Sequence, residues 1–355
     1  MKITTRRPIV GTRPLAGGIL VALIAALAVA LIGADLGDAA TEKTRQAASA
    51  PATPTKPASR PAASDALPVA APTAPTTPTE KPEAAAVARE ATSAGPTAMD
   101  YIRHVERLKQ RVPEDFTIVV QRPFVVIGDE SAETVRRRAR GTVKWAVERL
   151  KAAYFEKDPP EIIDIWLFGT RESYEKYAKQ FFGEKPNTPF GYYSSTDRAM
   201  VMNIATGGGT LVHEIVHPFV AANFPDCPAW FNEGLGSLYE QSASREGRIV
   251  GLTNWRLAGL QRSIRDGELP SFRKLCSTTT HQFYEMDAGT NYAQARYLCY
   301  WLQEHGLLRK FYRAFHADVA DDPTGYETLQ RVIGRDDMDA FQQEWEKYVL
   351  GLRFP

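Results

Sequence analysis

Cysteine is scarce in this chain: Cys227, Cys276 and Cys299 are the only three in 355 residues. No two of them form a C-x-x-C pair, so none is assigned to a metal. An oxidising compartment permits one disulfide among the three and leaves one thiol over, and the pairing stays open. Excess charge of one sign is missing as well. Forty-three Lys and Arg stand against 42 Asp and Glu, a net charge of +1. That balance supplies no bulk electrostatic attraction for nucleic acid, which is not expected as a partner. The run Arg136–Arg138 falls in a helical pattern and reads as a solvated face.

Large apolar side chains are nearly absent from residues 34–98, where Ala, Pro, Thr and Ser dominate. Such a segment cannot bury enough surface to offset its ordering entropy, which predicts a disordered, semi-extended linker. Long uncharged apolar runs are also rare, and the exception is L-A-G-G-I-L-V-A-L-I-A-A-L-A-V-A-L-I-G at 15–33. At about 1.5 Å per residue it nearly covers a hydrocarbon core of about 30 Å. Lys2, Arg6, Arg7 and Arg13 precede it; Asp35, Asp38 and Glu42 follow. This asymmetry predicts a cytoplasmic segment 1–14, a transmembrane anchor 15–33 and export of the rest. Cleavage after Ala34 or Ala39 would instead make the run a signal segment and the domain a secreted one.

Residues 99–355 remain for a folded domain. Helical spacing of Ile102, Val105 and Leu108 precedes Pro113, and F-T-I-V-V (116–120) and F-V-V-I (124–127) read as a strand hairpin around Gln121–Pro123. A long amphipathic helix (131–155), a strand (161–168) and a helix (171–182) follow. Residues 191–194 and 199–204 then flank a turn at S-T-D-R. Gly207-Gly208-Gly209-Thr210 leads into the next helix, with Thr210 a candidate cap. Beyond 250 the pattern is nearly all helical, near 290–305, 307–317, 323–334 and 337–350. Strands and helices first, helices afterwards, predict an α+β fold in which a mixed lobe meets a helical one.

The chemistry concentrates in T-L-V-H-E-I-V-H-P-F, residues 210–219. Side chains four apart on a helix share a face, so His213 and His217 can grip one ion while Glu214 stands beside it as a base acting on water. A second helix, Ala229–Gln241, starts after Pro228 and can run back to aim Glu233 at the two imidazoles. Two histidines and one carboxylate leave a fourth tetrahedral position open, as in catalytic rather than structural zinc. Pro218 removes the hydrogen bond to the Glu214 carbonyl and predicts a kink after His217. Trp230 and Phe231 read as anchors of the second helix, and His104, His305 and His316 as surface or satisfied side chains.

H-E-I-V-H followed by W-F-N-E-G-L-G-S resembles the gluzincin branch of the zincin metallopeptidases, most clearly over about 190–241. The resemblance implies a zincin-like fold with an active-site helix, Zn²⁺ held by His213, His217 and Glu233, and Glu214 as general base. It implies hydrolysis of peptide bonds in a peptide or protein substrate lying along an edge strand, here G-Y-Y-S-S-T-D-R-A-M-V-M-N-I. It also implies that Ser237 orients a ligand, and that a side chain from the helical lobe stabilises the oxyanion. Tyr292 is the first choice for that donor, ahead of His281 and Tyr284. The alternatives are a zincin-like envelope protein that binds without turnover, and a structural protein whose span and spacer are its purpose. Glu214 argues against the first, since mere binding has no chemical need for that carboxylate.

Overall fold

The computed structural model describes residues 95–354 apart from Glu184 and Asp287. The segments 1–14 and 15–33 and nearly all of 34–98 lie outside the described residues. No described helix is long and apolar enough to cross a membrane. Among the described residues, regular structure begins one residue before the expected domain boundary. Thr97 caps helix α1 (Ala98–Arg111) through a capping box with Asp100, whose carboxylate accepts from the Thr97 N–H at 2.9 Å.

A five-stranded mixed sheet follows, built from β1 (Thr117–Gln121), β2 (Phe124–Gly128), β3 (Ile163–Phe168), β4 (Gly191–Ser194) and β5 (Ala199–Asn203). Its order is β1-β2-β3-β5-β4: β2, β3 and β5 run parallel in the centre, and antiparallel β1 and β4 form the two edges. The central strands alternate between two cores. Phe124, Val126, Ile165, Leu167, Met200 and Met202 face one; Val125, Ile127, Trp166, Phe168, Ala199 and Val201 face the other. Burial on both faces explains why these strands read as continuous apolar runs. The smaller core is closed by α1 and by α4 (Arg171–Phe182) through Tyr101, Leu108, Tyr174 and Ala178.

The larger core is continuous. It takes in α2 (Ala132–Arg138), a π-helical stretch Ala139–Lys144 and α3 (Trp145–Ala153), which together replace the single helix expected at 131–155. It continues through α5 (Gly209–Asn223) and α6 (Ala229–Leu238). From there it enters α7 (Arg256–Asp266), α8 (Phe272–Cys276), α9 (Thr280–Glu285), α10 (Ala288–Glu304), α11 (Leu308–Asp318), α12 (Tyr326–Ile333) and α13 (Met338–Gly351). The mixed and helical parts are therefore not separate cores; α5 and α6 are packed on both sides. Beyond Gly251 every regular element among the described residues is a helix, as expected; an unanticipated hairpin of β6 (Ser242–Arg245) and β7 (Arg248–Gly251) precedes them. The three cysteines are free thiols, and burial pushes each of them up from its ordinary pKa. The single disulfide allowed by the sequence is not formed.

Candidate metal centre

Helix α5 begins at Gly209 with Gly208 as its cap and no side-chain cap bond, so Thr210 lies inside the first turn instead of capping it. Close packing accounts for this. A Cβ on Gly209 would lie 2.2 Å from the backbone oxygen of Glu240, which leaves no room for a side chain where the helix starts. Pro218 does not end the helix, which continues to Asn223, and the reversal into α6 occurs over Phe224–Pro228. Loss of one helix hydrogen bond is offset by burial of Pro218, Phe219 and Val220 in the core.

The reversal sets α6 alongside α5 and brings His213, His217 and Glu233 together, one ligand atom of each lying within 4.8 Å of the others. His213 Nε2 is 3.0 Å from Glu233 Oε2, and His217 Nε2 is 3.8 Å from that same oxygen. Tetrahedral ligands about 2.0–2.2 Å from zinc stand roughly 3.4 Å apart, so these spacings bracket what a small divalent ion requires. Of the outer imidazole nitrogens, that of His217 is hydrogen-bonded and that of His213 has no hydrogen-bond partner. His217 Nδ1–H donates to Asn232 Oδ1 at 3.0 Å, which leaves Nε2 with its lone pair, and that atom is buried without a partner. His213 Nδ1 lies 3.4 Å from Glu240 Oε1. Tyr284 donates its hydroxyl proton to Glu233 Oε1 at 2.5 Å. The donor set and the orphaned His217 nitrogen both fit a metal ion.

Electrostatics describe a site assembled around positive charge. Burial opposes ionisation of Glu233, but electrostatic attraction toward His217 and the His213 hydrogen bond outweigh it and hold this carboxyl at about 2. Glu240 is likewise held at about 2 against burial, chiefly by Arg256. Burial works to lower His213, yet its bonds to Glu233 and Glu240 raise it to about 10. Glu214 goes the other way. It is 1 % exposed, burial raises its pKa, and neither carboxylate oxygen has a hydrogen-bond partner.

The cleft beside these groups has a volume of about 370 Å³. Glu214, His217, Glu233 and Tyr284 line it, together with Tyr193 of the edge strand β4 and the apolar pair Ala221 and Ala222. Tyr292 does not line it. Its hydroxyl is buried without a partner, and its ring stacks beside His213 at 6.4 Å and 28°. His281 is exposed outside the cleft, so Tyr284 is the one of the three oxyanion candidates that reaches it. Ser237 is buried, but its hydroxyl has no partner, and none of the three candidate ligands is hydrogen-bonded to it. Sequence reasoning missed Glu240, Asn232 and Gly236. Only Asn232, next to Glu233, carried a local signal. Of the other histidines, His104 bonds Asp164 at 2.7 Å, His305 stacks on Trp301, and His316 meets Phe224 edge-on. No protein-family model matches this chain, and no curated protein matches it.

Gly236 lies against the His213 ring: an added Cβ would sit 3.1 Å from both Cε1 and Nε2. Gly236→Ala is expected to weaken metal binding while the fold persists. Overpacking of about 1–3 kcal/mol exceeds the ~1 kcal/mol that alanine contributes to a helix, and the ring absorbs the difference. A metal titration beside a thermal melt checks this; unchanged affinity would show that the ring yields freely.

Proposed function

We propose that the domain is a zinc-dependent peptidase of gluzincin type with a zincin-like fold, exported and tethered by the apolar run at 15–33. The observation that carries this reading is Glu214: a buried carboxylate without a partner, in the same cleft as a His, His, Glu cluster. Leaving such a group unpaired costs folding free energy, and groups of this kind concentrate at reactive centres. A closed structural metal site, or a protein that only binds, has no use for it.

A zinc ion held by His213, His217 and Glu233 would supply Lewis-acid polarisation of a substrate carbonyl and acidify the attacking water. Glu214 takes the proton of that water on a carboxylate oxygen and passes it to the departing amine. Asn232 fixes the His217 tautomer through Nδ1. Tyr284, the cleft-facing phenol, is the oxyanion donor in this reading, in place of Tyr292, its one proton turning from Glu233 Oε1 to the developing oxyanion. β4 lies at the sheet edge with Tyr193 in the cleft wall, an arrangement that supports an extended peptide added as a further strand.

The full chain is expected to carry one zinc ion and to cleave members of a quenched-fluorescence peptide library. Cleavage should stop with 1,10-phenanthroline and return with added Zn²⁺ or Co²⁺. Stoichiometric zinc in a protein that leaves the whole library intact would sink the peptidase reading.

A further inference from the structure

We infer that Glu240, and not Ser237, is the side chain that orients the ligand His213, and that Arg256 and Asn254 hold Glu240 in place for it. The inference rests on the metal site proposed above.

Glu240 is the second residue past α6, buried, and surrounded by donors. Its Oε2 accepts from Arg256 Nε at 2.8 Å and from Asn254 Nδ2 at 2.9 Å. Its Oε1 accepts from Arg256 Nη2 at 2.6 Å and faces His213 Nδ1 at 3.4 Å. A fork of this kind leaves the carboxylate no rotational freedom. Oε1 is the carboxylate oxygen that faces His213 Nδ1, a buried nitrogen with no other acceptor claimed for it. An imidazole whose Nδ1–H points to a carboxylate presents Nε2 to the ion, and here Nε2 is the atom 3.0 Å from Glu233.

The supports of Glu240 are themselves fixed. Asn254 Oδ1 accepts from the Arg256 N–H at 3.1 Å, and the Asn254 N–H donates to Tyr297 OH at 3.1 Å. The Arg256 guanidinium lies 5.2 Å above the Tyr292 ring, and that ring stacks beside His213. Tyr292 is therefore one wall of the box around His213. Gly236 forms another wall, and Gly209 admits the Glu240 backbone. Ser237, four residues past Glu233, has no comparable side-chain contact: its hydroxyl is unpartnered, and its carbonyl accepts from Arg296 Nε at 3.0 Å and from the Glu240 N–H at 3.3 Å. The segment after the β6–β7 hairpin thus contributes no metal ligand but sets the aim of one.

The test is zinc affinity of the full chain, measured by competition with a chromophoric chelator. Glu240→Gln is expected to bind zinc about 10- to 100-fold more weakly, Arg256→Lys to fall between it and the parent, and Ser237→Ala to match the parent. The visible spectrum of the Co²⁺ form should shift in Glu240→Gln and not in Ser237→Ala. Glu240→Gln binding within twofold of the parent, or Ser237→Ala weakening as much as Glu240→Gln, overturns the inference. Should Glu240→Gln not fold, proton NMR of the Co²⁺-loaded parent decides. Two slowly exchanging, hyperfine-shifted imidazole N–H signals are expected, one of which survives in Asn232→Ala; a fast-exchanging His213 signal overturns the inference. Zinc binding without peptide cleavage would remove the peptidase reading and leave these affinity comparisons intact. A chain that binds no zinc removes both.

Discussion

Glu214→Gln is expected to keep its zinc and lose about 10²–10⁴-fold in kcat/KM on a cleaved peptide. The amide has the shape of the carboxylate, and neither Glu214 oxygen holds a hydrogen bond that the substitution would break. The ligands His213, His217 and Glu233 keep their own partners, Glu240, Asn232 and Tyr284, none of which is Glu214. Metal content should therefore stay at the parent level. Stability should hold or rise, because a charged group that burial disfavours is replaced by a neutral one. Only proton transfer is lost. Zinc per chain, melting temperature and kcat/KM measured on the same preparation check all three. Unchanged hydrolysis would remove Glu214 from the mechanism. Lost zinc would make it a structural support of the site.

The largest effect on stability is expected from Trp230→Ala. Trp230 is wholly buried at the start of α6, beside Phe311 and Phe315 at centroid distances of 6.0 and 6.5 Å. Its indole N–H donates to the Thr324 carbonyl at 2.9 Å. Truncation leaves a cavity costing about 3–5 kcal/mol, and the stranded carbonyl adds to that. For a domain of this size about 3–5 kcal/mol corresponds to a fall of roughly 6–20 °C in Tm. Because Trp230 and Glu233 share a face of α6 one turn apart, zinc affinity should fall as well. Trp230→Phe, which keeps a ring and loses the donor, should show a smaller loss of about 1–3 kcal/mol. A melt of Trp230→Ala within 2 °C of the parent would show that α6 is held by other contacts.

The central strands and their hairpins were legible because both faces are buried and the apolar runs are nearly continuous, as in 124–127 and in 162–168, where only Asp164 interrupts. The β6–β7 hairpin was not: S-A-S-R and R-I-V-G carry one buried large apolar side chain, Ile249, and too few apolar residues to show a two-residue period in the sequence. The helix runs on five residues past Pro218, to Asn223, where burial of Phe219 and Val220 offsets the hydrogen bond that the proline removes. Tyr292 read as a cleft residue because it opens a helical pattern after a glycine. In space it is 2 % exposed behind His213, while Tyr284 on short helix α9 reaches Glu233.

By itself the sequence determined that His213, Glu214 and His217 share one helix, with four-residue spacing for the imidazoles, and that a glutamate follows on the next. These are consequences of helical periodicity, which needs no knowledge of the rest of the chain. Only the tertiary structure decided that Glu233 meets the imidazoles, and that Glu240 and Arg256 lie behind His213. It also decided which tyrosine faces the cleft. Those relations join residues 16 to 51 positions apart, and they depend on how helices pack side by side. No local pattern encodes that, because many sequences bury the same helix faces equally well.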